Sequence, residues 1–177
     1  RVGPSFAREG TRLFYSRLAG PPRRDRHALE ECLDFAEALG ADRGEGRPIF
    51  PFRFPPFVIP AEAPRPWIAV SPFTRWSSKN WPLRHLTGVI SALGDKTRGS
   101  FHLIGGTVDR TLFEGVISAL RCPVFNWAGT VTLPQLGSLL GQMDLMISSD
   151  TGPMHMAAAL GVPVVATFGP TDPARTG

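Results

Sequence analysis

Apolar and polar positions alternate along this chain in two different rhythms, and the change between them divides it. Up to residue 47 the apolar positions fit a helical period. Phe6, Leu13, Phe14 and Leu18 can share one helix face, ended by Gly20-Pro21-Pro22. Leu29, Cys32, Leu33, Ala36 and Leu39 recur at helical spacing, and Gly40 stands where a C-terminal cap belongs. Residues 48–66 are rich in proline and phenylalanine without any period, which reads as a stiff inter-domain connection whose phenylalanines pack on both neighbours.

From Trp67 onward short apolar runs alternate with helical patterns. Trp67–Ser71 reads as a buried strand. A helix from about Pro82 follows, carrying Leu83, Leu86, Val89, Ile90 and Leu93 on one face, with Gly94 placed to cap it. Phe101–Ile104 is the next strand, and Asp109 can cap a helix bearing Leu112, Phe113, Val116, Ile117 and Leu120. Pro123–Phe125 is a weak third strand. Thr132 and Gln135 form a capping box ahead of Leu136, Leu139 and Leu140. Asp144–Ser148 is a strand, Pro153–Leu160 a helix and Pro163–Thr167 the last strand. Alternating strands and helices predict an α/β fold, a parallel sheet with helices on both faces. Ligands of such sheets sit at the carboxyl ends of the strands, here the loops at 72–80, 105–109, 126–131, 149–153 and 168–173.

Composition narrows the function classes. The 177 residues are 42% hydrophobic and 19% charged, with a net charge of +4, which suits a globular domain that meets an anionic ligand or membrane surface. The arginines are scattered rather than clustered with aromatics, so nucleic acid is not an expected partner. Cys32 and Cys122 form no CxxC and are expected to be buried thiols in a reducing compartment. His27, His85, His102 and His155 fall in separate elements, so no metal site is expected, and there is no GxSxG. No apolar run approaches the ~20 residues of a membrane span. The chain opens Arg1-Val2-Gly3 without Met and is read as a fragment.

Three loops carry candidate chemistry. Ser148 to His155 runs from a strand through a tight loop straight into a helix. Gly152 lets the backbone turn closely and Pro153 fits the first helical turn. The amides of Thr151, Gly152 and Met154 then face the loop mouth and, with the helix dipole, suit a diphosphate. The alternative is a capped helix that binds nothing, with Asp150 or Thr151 as the cap. His155 in the first turn is either a neutral hydrogen-bonding group or a packing residue. In the loop from Ser71 to Pro82, Thr74, Ser77 and Ser78 offer hydroxyls, and Arg75 and Lys79 offer charge. Lys79 can neutralise a phosphate leaving group or be a solvated surface lysine, and Trp81 reads as a packing anchor. The loop Phe168 to Pro173 offers Thr171 and Asp172 to hydroxyls or phosphate, or is a rigid turn. Gly105-Gly106 is not GxGxxG, so no dinucleotide fingerprint is assigned; Asp109 can accept from ribose hydroxyls or cap a helix.

The segment SSDTGPMHMAAALGVPVVATFGPTDP at 148–173 closely resembles the C-terminal signature of the lipopolysaccharide heptosyltransferases, glycosyltransferase family 9. TRWSSKNWP at 74–82 is similar to the family's Lys-x-Trp-Pro segment. LIGG at 103–106 with Asp109, and NWAGTVTLPQLGSLLGQMDLMISSD before the signature, follow the family's order. RVGPSFAREGTRLFYSRL and HALEECLDFAEALG are similar to the end of the N-terminal domain, notably in heptosyltransferase I.

The resemblance implies the GT-B architecture, two Rossmann-like domains facing a cleft. Residues 1–47 are then the end of the N-terminal acceptor domain, 48–66 the linker, and 67–177 the donor-binding domain, truncated at its C-terminus. It implies an inverting, metal-independent transfer of heptose from ADP-L-glycero-D-manno-heptose to the lipid A–Kdo inner core of lipopolysaccharide, with no cofactor beyond the donor. Thr151 and Gly152 should hold the diphosphate and Lys79 neutralise it. Asp150, His155, Thr171 and Asp172 should shape the donor pocket, and Thr74 is a further phosphate contact. The family's proposed general base, an aspartate near the start of the N-terminal domain, is not in this chain, so the fragment by itself is expected to be inactive. A cytoplasmic monomer is expected, and the lipid acceptor implies peripheral association with the inner membrane, with the basic N-terminal part as a candidate contact. Another GT-B transferase or a sugar-nucleotide epimerase using a different nucleotide sugar, and a non-catalytic binding protein, are the alternatives.

Overall fold

The computed structural model describes residues 1–7, 10–23, 25–44 and 53–177. The chain divides into two compact units, Arg1–Pro48 with Thr171–Gly177, and Ile49–Pro170.

The first unit is not mainly helical. Strands β1 (Val2–Pro4) and β2 (Arg17–Ala19) pair in parallel, Gly3 opposite Leu18. Between them lies only a 3₁₀ turn at Thr11–Phe14, after Gly10 at φ 72°, and it leaves Leu13 and Phe14 exposed. The helical spacing of Phe6, Leu13, Phe14 and Leu18 is therefore coincidental. Gly3 has a steric reason: a Cβ there would stand 2.1 Å from the Tyr15 ring. Helix α1 (Ala28–Ala38) packs on both strands. His27 Nδ1 accepts from Leu29 N to cap its start, and Gly40 follows its end at φ 91°. Its buried face is ionic as well as apolar. Asp34 is buried and accepts from Arg26 and Arg43. The hydrogen bond from Arg26 holds the Asp34 carboxyl below the usual carboxylate range, against the opposing effect of burial. Cys32 is exposed rather than buried.

The second unit is the expected alternating fold. Its elements are β3 (Trp67–Ser71), α2 (Leu83–Thr97), β4 (Ser100–Leu103), α3 (Arg110–Ser118), β5 (Val124–Asn126), α4 (Leu133–Leu140), β6 (Leu145–Ser149), α5 (Gly152–Ala159) and β7 (Val164–Thr167). The strands form one parallel sheet in the order β5-β4-β3-β6-β7. Alternate residues of β3 feed opposite faces. Ile68 and Val70 join Leu86, Ile90, Phe101 and Phe113 under α2 and α3, whereas Ala69 joins Leu139, Leu140, Met146 and Ala157 under α4 and α5. The Thr132–Gln135 capping box starts α4 as expected.

Two expectations are corrected here. Gly94 does not end α2, which runs on to Thr97 and closes at Arg98 with φ 55°. It sits instead where a Cβ would come within 2.8 Å of Cys122, so glycine lets α2 approach that residue. Cys122 is half-buried, and burial raises its thiol pKa. The described part of the Pro/Phe-rich stretch packs on the second unit. Pro48–Phe52 lies outside the described residues, but Arg53–Pro66 belongs to the second unit. Ile59 and Ala63 are buried in the core under α4, Phe57 meets Trp127 edge-on at 5.2 Å, and Gln142 Nε2 donates to Phe57 O. A Cβ at Gly137 would stand 2.4 Å from the Phe54 ring, so α4 accepts this covering segment only with glycine there.

His102 fastens the segment to the sheet. Its ring is fully buried and stacked on Phe125 at 5.2 Å. Trp127 Nε1 donates to His102 Nδ1, which places the ring proton on Nε2, 3.2 Å from Ser100 Oγ. Ser100 Oγ in turn donates to Pro64 O at 2.8 Å. Burial pushes the His102 pKa down to about 4 from 6.5. The unfolded chain therefore binds one more proton between those values. Stability from this group is complete above pH ~6.5 and is lost as pH falls toward ~4, by up to about 3 kcal/mol. Urea titrations across this range should show that loss, and the His102→Gln variant should lose less. Equal slopes in the two proteins would contradict the neutral, buried assignment.

Candidate functional site

The order of the sheet locates the site. β3 leads to β4 on one side and β6 lies on the other, so the connections leave the sheet in opposite directions between β3 and β6. This is the switch point at which parallel sheets open a crevice beyond their carboxyl ends. The two strands are tied together up to that point. Ser148 Oγ donates to Ser71 O and Ser149 Oγ to Pro72 O, both from buried hydroxyls. The loops that follow must start side by side.

They meet through one ion pair. Lys79 Nζ donates to Asp150 Oδ2 at 2.7 Å, with side chains only 18% and 7% exposed. His155 Nε2 stands 3.5 Å from the other oxygen of Asp150, its own side chain half exposed. The expected helix starts one residue earlier than predicted, at Gly152, and Thr151 is its cap: Thr151 Oγ1 accepts from Met154 N. That removes Met154 from the three amides expected to face a ligand. The amides of Thr151 and Gly152 have no acceptor among the described residues. Two open donors at the positive end of α5, beside a lysine, make an anion-binding corner.

A cleft of about 520 Å³ opens over this corner. Thr74, Trp76, Asp109, Asp150, Thr151 and Gly152 are among its walls. Lys79 and His155 reach it through Asp150. Thr74 lines the cleft, and its hydroxyl donates to Trp76 O and accepts from Trp76 N within its own loop. Asp109 makes no side-chain cap on α3. Its Oδ2 accepts from Gly106 N at 2.7 Å, which folds the β4 loop under the carboxylate. Gly105 is required for that fold, because a Cβ there would stand 2.7 Å from Asp109 Oδ2. The loop after β7 lies near the β3 loop, a Cβ at Gly169 being 3.4 Å from Ser78 O. Thr171 and Asp172 fall in the first unit, where Asp172 Oδ1 accepts from Ala174 N and caps the helical turn Pro173–Thr176. No group of His, Cys, Asp and Glu with the makings of a metal site occurs among the described residues.

Sequence placed Trp76 and Val131 in strand-end loops and Leu136 on a helix face without assigning any of them to the site, and all three line the cleft. A tryptophan inside an otherwise polar loop was the available signal for the first; the other two read only as helix and loop positions.

Gly152 was expected for a tight turn, yet its φ is not positive and a Cβ there would meet nothing within 4 Å. The protein itself does not need glycine at 152. A ligand closing on that amide would meet any added methyl. Gly152→Ala should leave melting unchanged or raise it slightly, since alanine restricts the unfolded chain by about 0.4–1 kcal/mol. It should weaken pyrophosphate binding roughly tenfold, the cost of an extra methyl in filled space. Calorimetry beside a melting curve checks both; a methyl tolerated in binding would remove the close approach.

The comparisons agree with this geometry. The model of "Glycosyltransferase family 9 (heptosyltransferase)" matches residues 4–177. Lipopolysaccharide core heptosyltransferase OpsX of Haemophilus influenzae is 26% identical over 98% of the chain and 51% of its own length. Lipopolysaccharide heptosyltransferase 3 of Escherichia coli is 34% identical over 60% of the chain and 32% of its own length. The chain thus spans about half the length, or less, of the curated relatives it matches. Among solved structures, a family 9 glycosyltransferase from Veillonella parvula superposes with a TM-score of 0.74 at 22% identity, covering 94% of this chain and 51% of that one. E. coli heptosyltransferase WaaC with ADP gives 0.70 at 23%, covering 93% and 52%. These two likenesses show the GT-B fold, and the family match over nearly the whole sequence shows that this chain belongs to glycosyltransferase family 9, the heptosyltransferases.

Proposed function

We propose that this chain is the donor-binding half of a transferase that moves heptose from ADP-L-glycero-D-manno-heptose to the lipid A–Kdo inner core of lipopolysaccharide, with inversion and without a metal. The observation that carries the reading is the corner where the open amides of Thr151 and Gly152 stand beside the Lys79–Asp150 pair. The relatives named as heptosyltransferases, and a solved neighbour holding ADP-2-deoxy-2-fluoro heptose, support the choice of donor.

In this mechanism the acceptor hydroxyl displaces ADP at the anomeric carbon, its proton taken by a base from the other half of the enzyme. Charge grows on the leaving diphosphate. Thr151 N–H and Gly152 N–H are already aimed, so they stabilise that charge without reorganising. Lys79 has three N–H donors: one can stay on Asp150 while the others turn to phosphate. Asp150 and His155 shape the sugar end of the pocket, and Asp109 faces the ribose. In this reading the enzyme is a monomer held peripherally at the cytoplasmic face of the inner membrane, where its lipid acceptor lies. The net charge of +4 favours an anionic surface, and no helix among the described residues is long and apolar enough to cross a bilayer.

Lys79→Ala should weaken ADP binding to the chain. In an enzyme carrying both halves it should slow turnover by the equivalent of ~2–4 kcal/mol, as for loss of one oxyanion donor. Melting is followed alongside, because the substitution takes the ammonium from a nearly buried carboxylate. Near-normal turnover in a folded variant would remove Lys79 from its role. In competition calorimetry ADP should displace UDP; the reverse would favour a transferase or epimerase with a different nucleotide sugar.

A further inference from the structure

Two donors of the anion corner are backbone amides fixed by the start of α5, while the third, the Lys79 ammonium, is carried by a loop. The pairing of β3 with β6 sets where that loop begins. It does not set where Lys79 stands within it. A long side chain on a wandering backbone would have to give up that freedom each time an anion bound.

The loop carries its own fasteners. Trp81 N donates to Pro72 O at 3.0 Å and joins the two ends. Inside that closure, Thr74 N donates to Asn80 Oδ1 at 2.7 Å, across six residues. Between Thr74 and Asn80 the chain makes a 3₁₀ turn at Ser77–Lys79, with Lys79 N donating to Trp76 O at 2.9 Å and Asn80 N to Ser77 O at 3.1 Å. Thr74 Oγ1 accepts from Trp76 N and donates to Trp76 O. The Lys79 backbone is therefore held to Trp76, Trp76 to Thr74, and Thr74 to the Asn80 side chain.

The ammonium at the far end of this chain of bonds meets Asp150 Oδ2 at 2.7 Å, on the loop after β6. Asn80 stands outside that contact. It is exposed and is not among the residues that line the cleft. Its side-chain carbonyl supplies what a turn lacks, an acceptor for a backbone N–H that has no strand partner. The bond lies at the surface, so water can replace it and the fold survives its loss.

We infer that Asn80 is a positioning residue for Lys79: without touching the donor, it fixes the backbone from which the ammonium reaches the diphosphate. The inference rests on the donor-binding reading above.

A double-mutant cycle separates this role from a general one in the fold. Calorimetry with inorganic pyrophosphate compares the 177-residue chain with Asn80→Ala, Lys79→Ala and the double variant. Asn80→Ala should lose roughly 2- to 10-fold in affinity, the equivalent of one hydrogen bond. In the Lys79→Ala background the same change should alter affinity by less than about twofold. Magnetic resonance of the Lys79 ammonium gives a second reading that needs no ligand. Held against Asp150, its protons should exchange slowly with water in the parent and faster in Asn80→Ala. Asn80→Asp, which keeps an acceptor for Thr74 N, should restore slow exchange. Equal losses of affinity in both backgrounds, no loss from Asn80→Ala, or ammonium exchange unchanged by it would overturn the inference. Where Lys79→Ala binds too weakly to measure, the ammonium exchange decides. A parent chain that ignores pyrophosphate would overturn the donor-binding reading, and the exchange rates would still show whether Asn80 holds Lys79.

Discussion

The Lys79–Asp150 ion pair depends on a single constraint, the hydrogen-bonded adjacency of β3 and β6. Parallel strands end level with one another only when their register is fixed, and here Ser71 stands opposite Ser148. Buried hydroxyls of Ser148 and Ser149 extend that bonding to Ser71 O and Pro72 O, one step past the ladder. The two loops are then too close to act separately. One carries a cation, the other a carboxylate and two open amides, and the charges settle their mutual placement before any ligand arrives. A nearly buried carboxylate would be costly without such a partner. Asp150 therefore gives Lys79 a reason to point into the switch-point crevice rather than into solvent.

Much of this was legible in the residues. Apolar runs of strand length separated by helical periods gave the second unit, and the Thr132–Gln135 pair gave the start of α4. The loops after β3 and β6 stood out because each combines turn chemistry with polar groups at a strand end. The misreadings have physical causes. Strands of three residues such as β1 and β2 are too short to show a period of two, so chance helical spacing prevailed. Gly94 looks like a cap in sequence, but only the three-dimensional approach of Cys122 explains it.

Glycines in this fold show two distinct uses. Gly3, Gly94, Gly105 and Gly137 leave room for the protein's own atoms. Gly40 supplies a left-handed backbone after α1. Gly152 does neither: it stands at the mouth of the anion corner with open space before it. His102 serves the fold. It is buried, neutral and fully hydrogen-bonded, and it links the sheet through Ser100 to the covering segment, away from the chemistry.

The central claim is that one anion engages both loops at once. A titration with pyrophosphate, followed by nitrogen-resolved magnetic resonance, reads the Thr151 and Gly152 amides and the Lys79 ammonium in the same sample. The account predicts that all three signals move together along one binding curve. Movement of the amides with Lys79 unchanged, or two curves at clearly different concentrations, would contradict it.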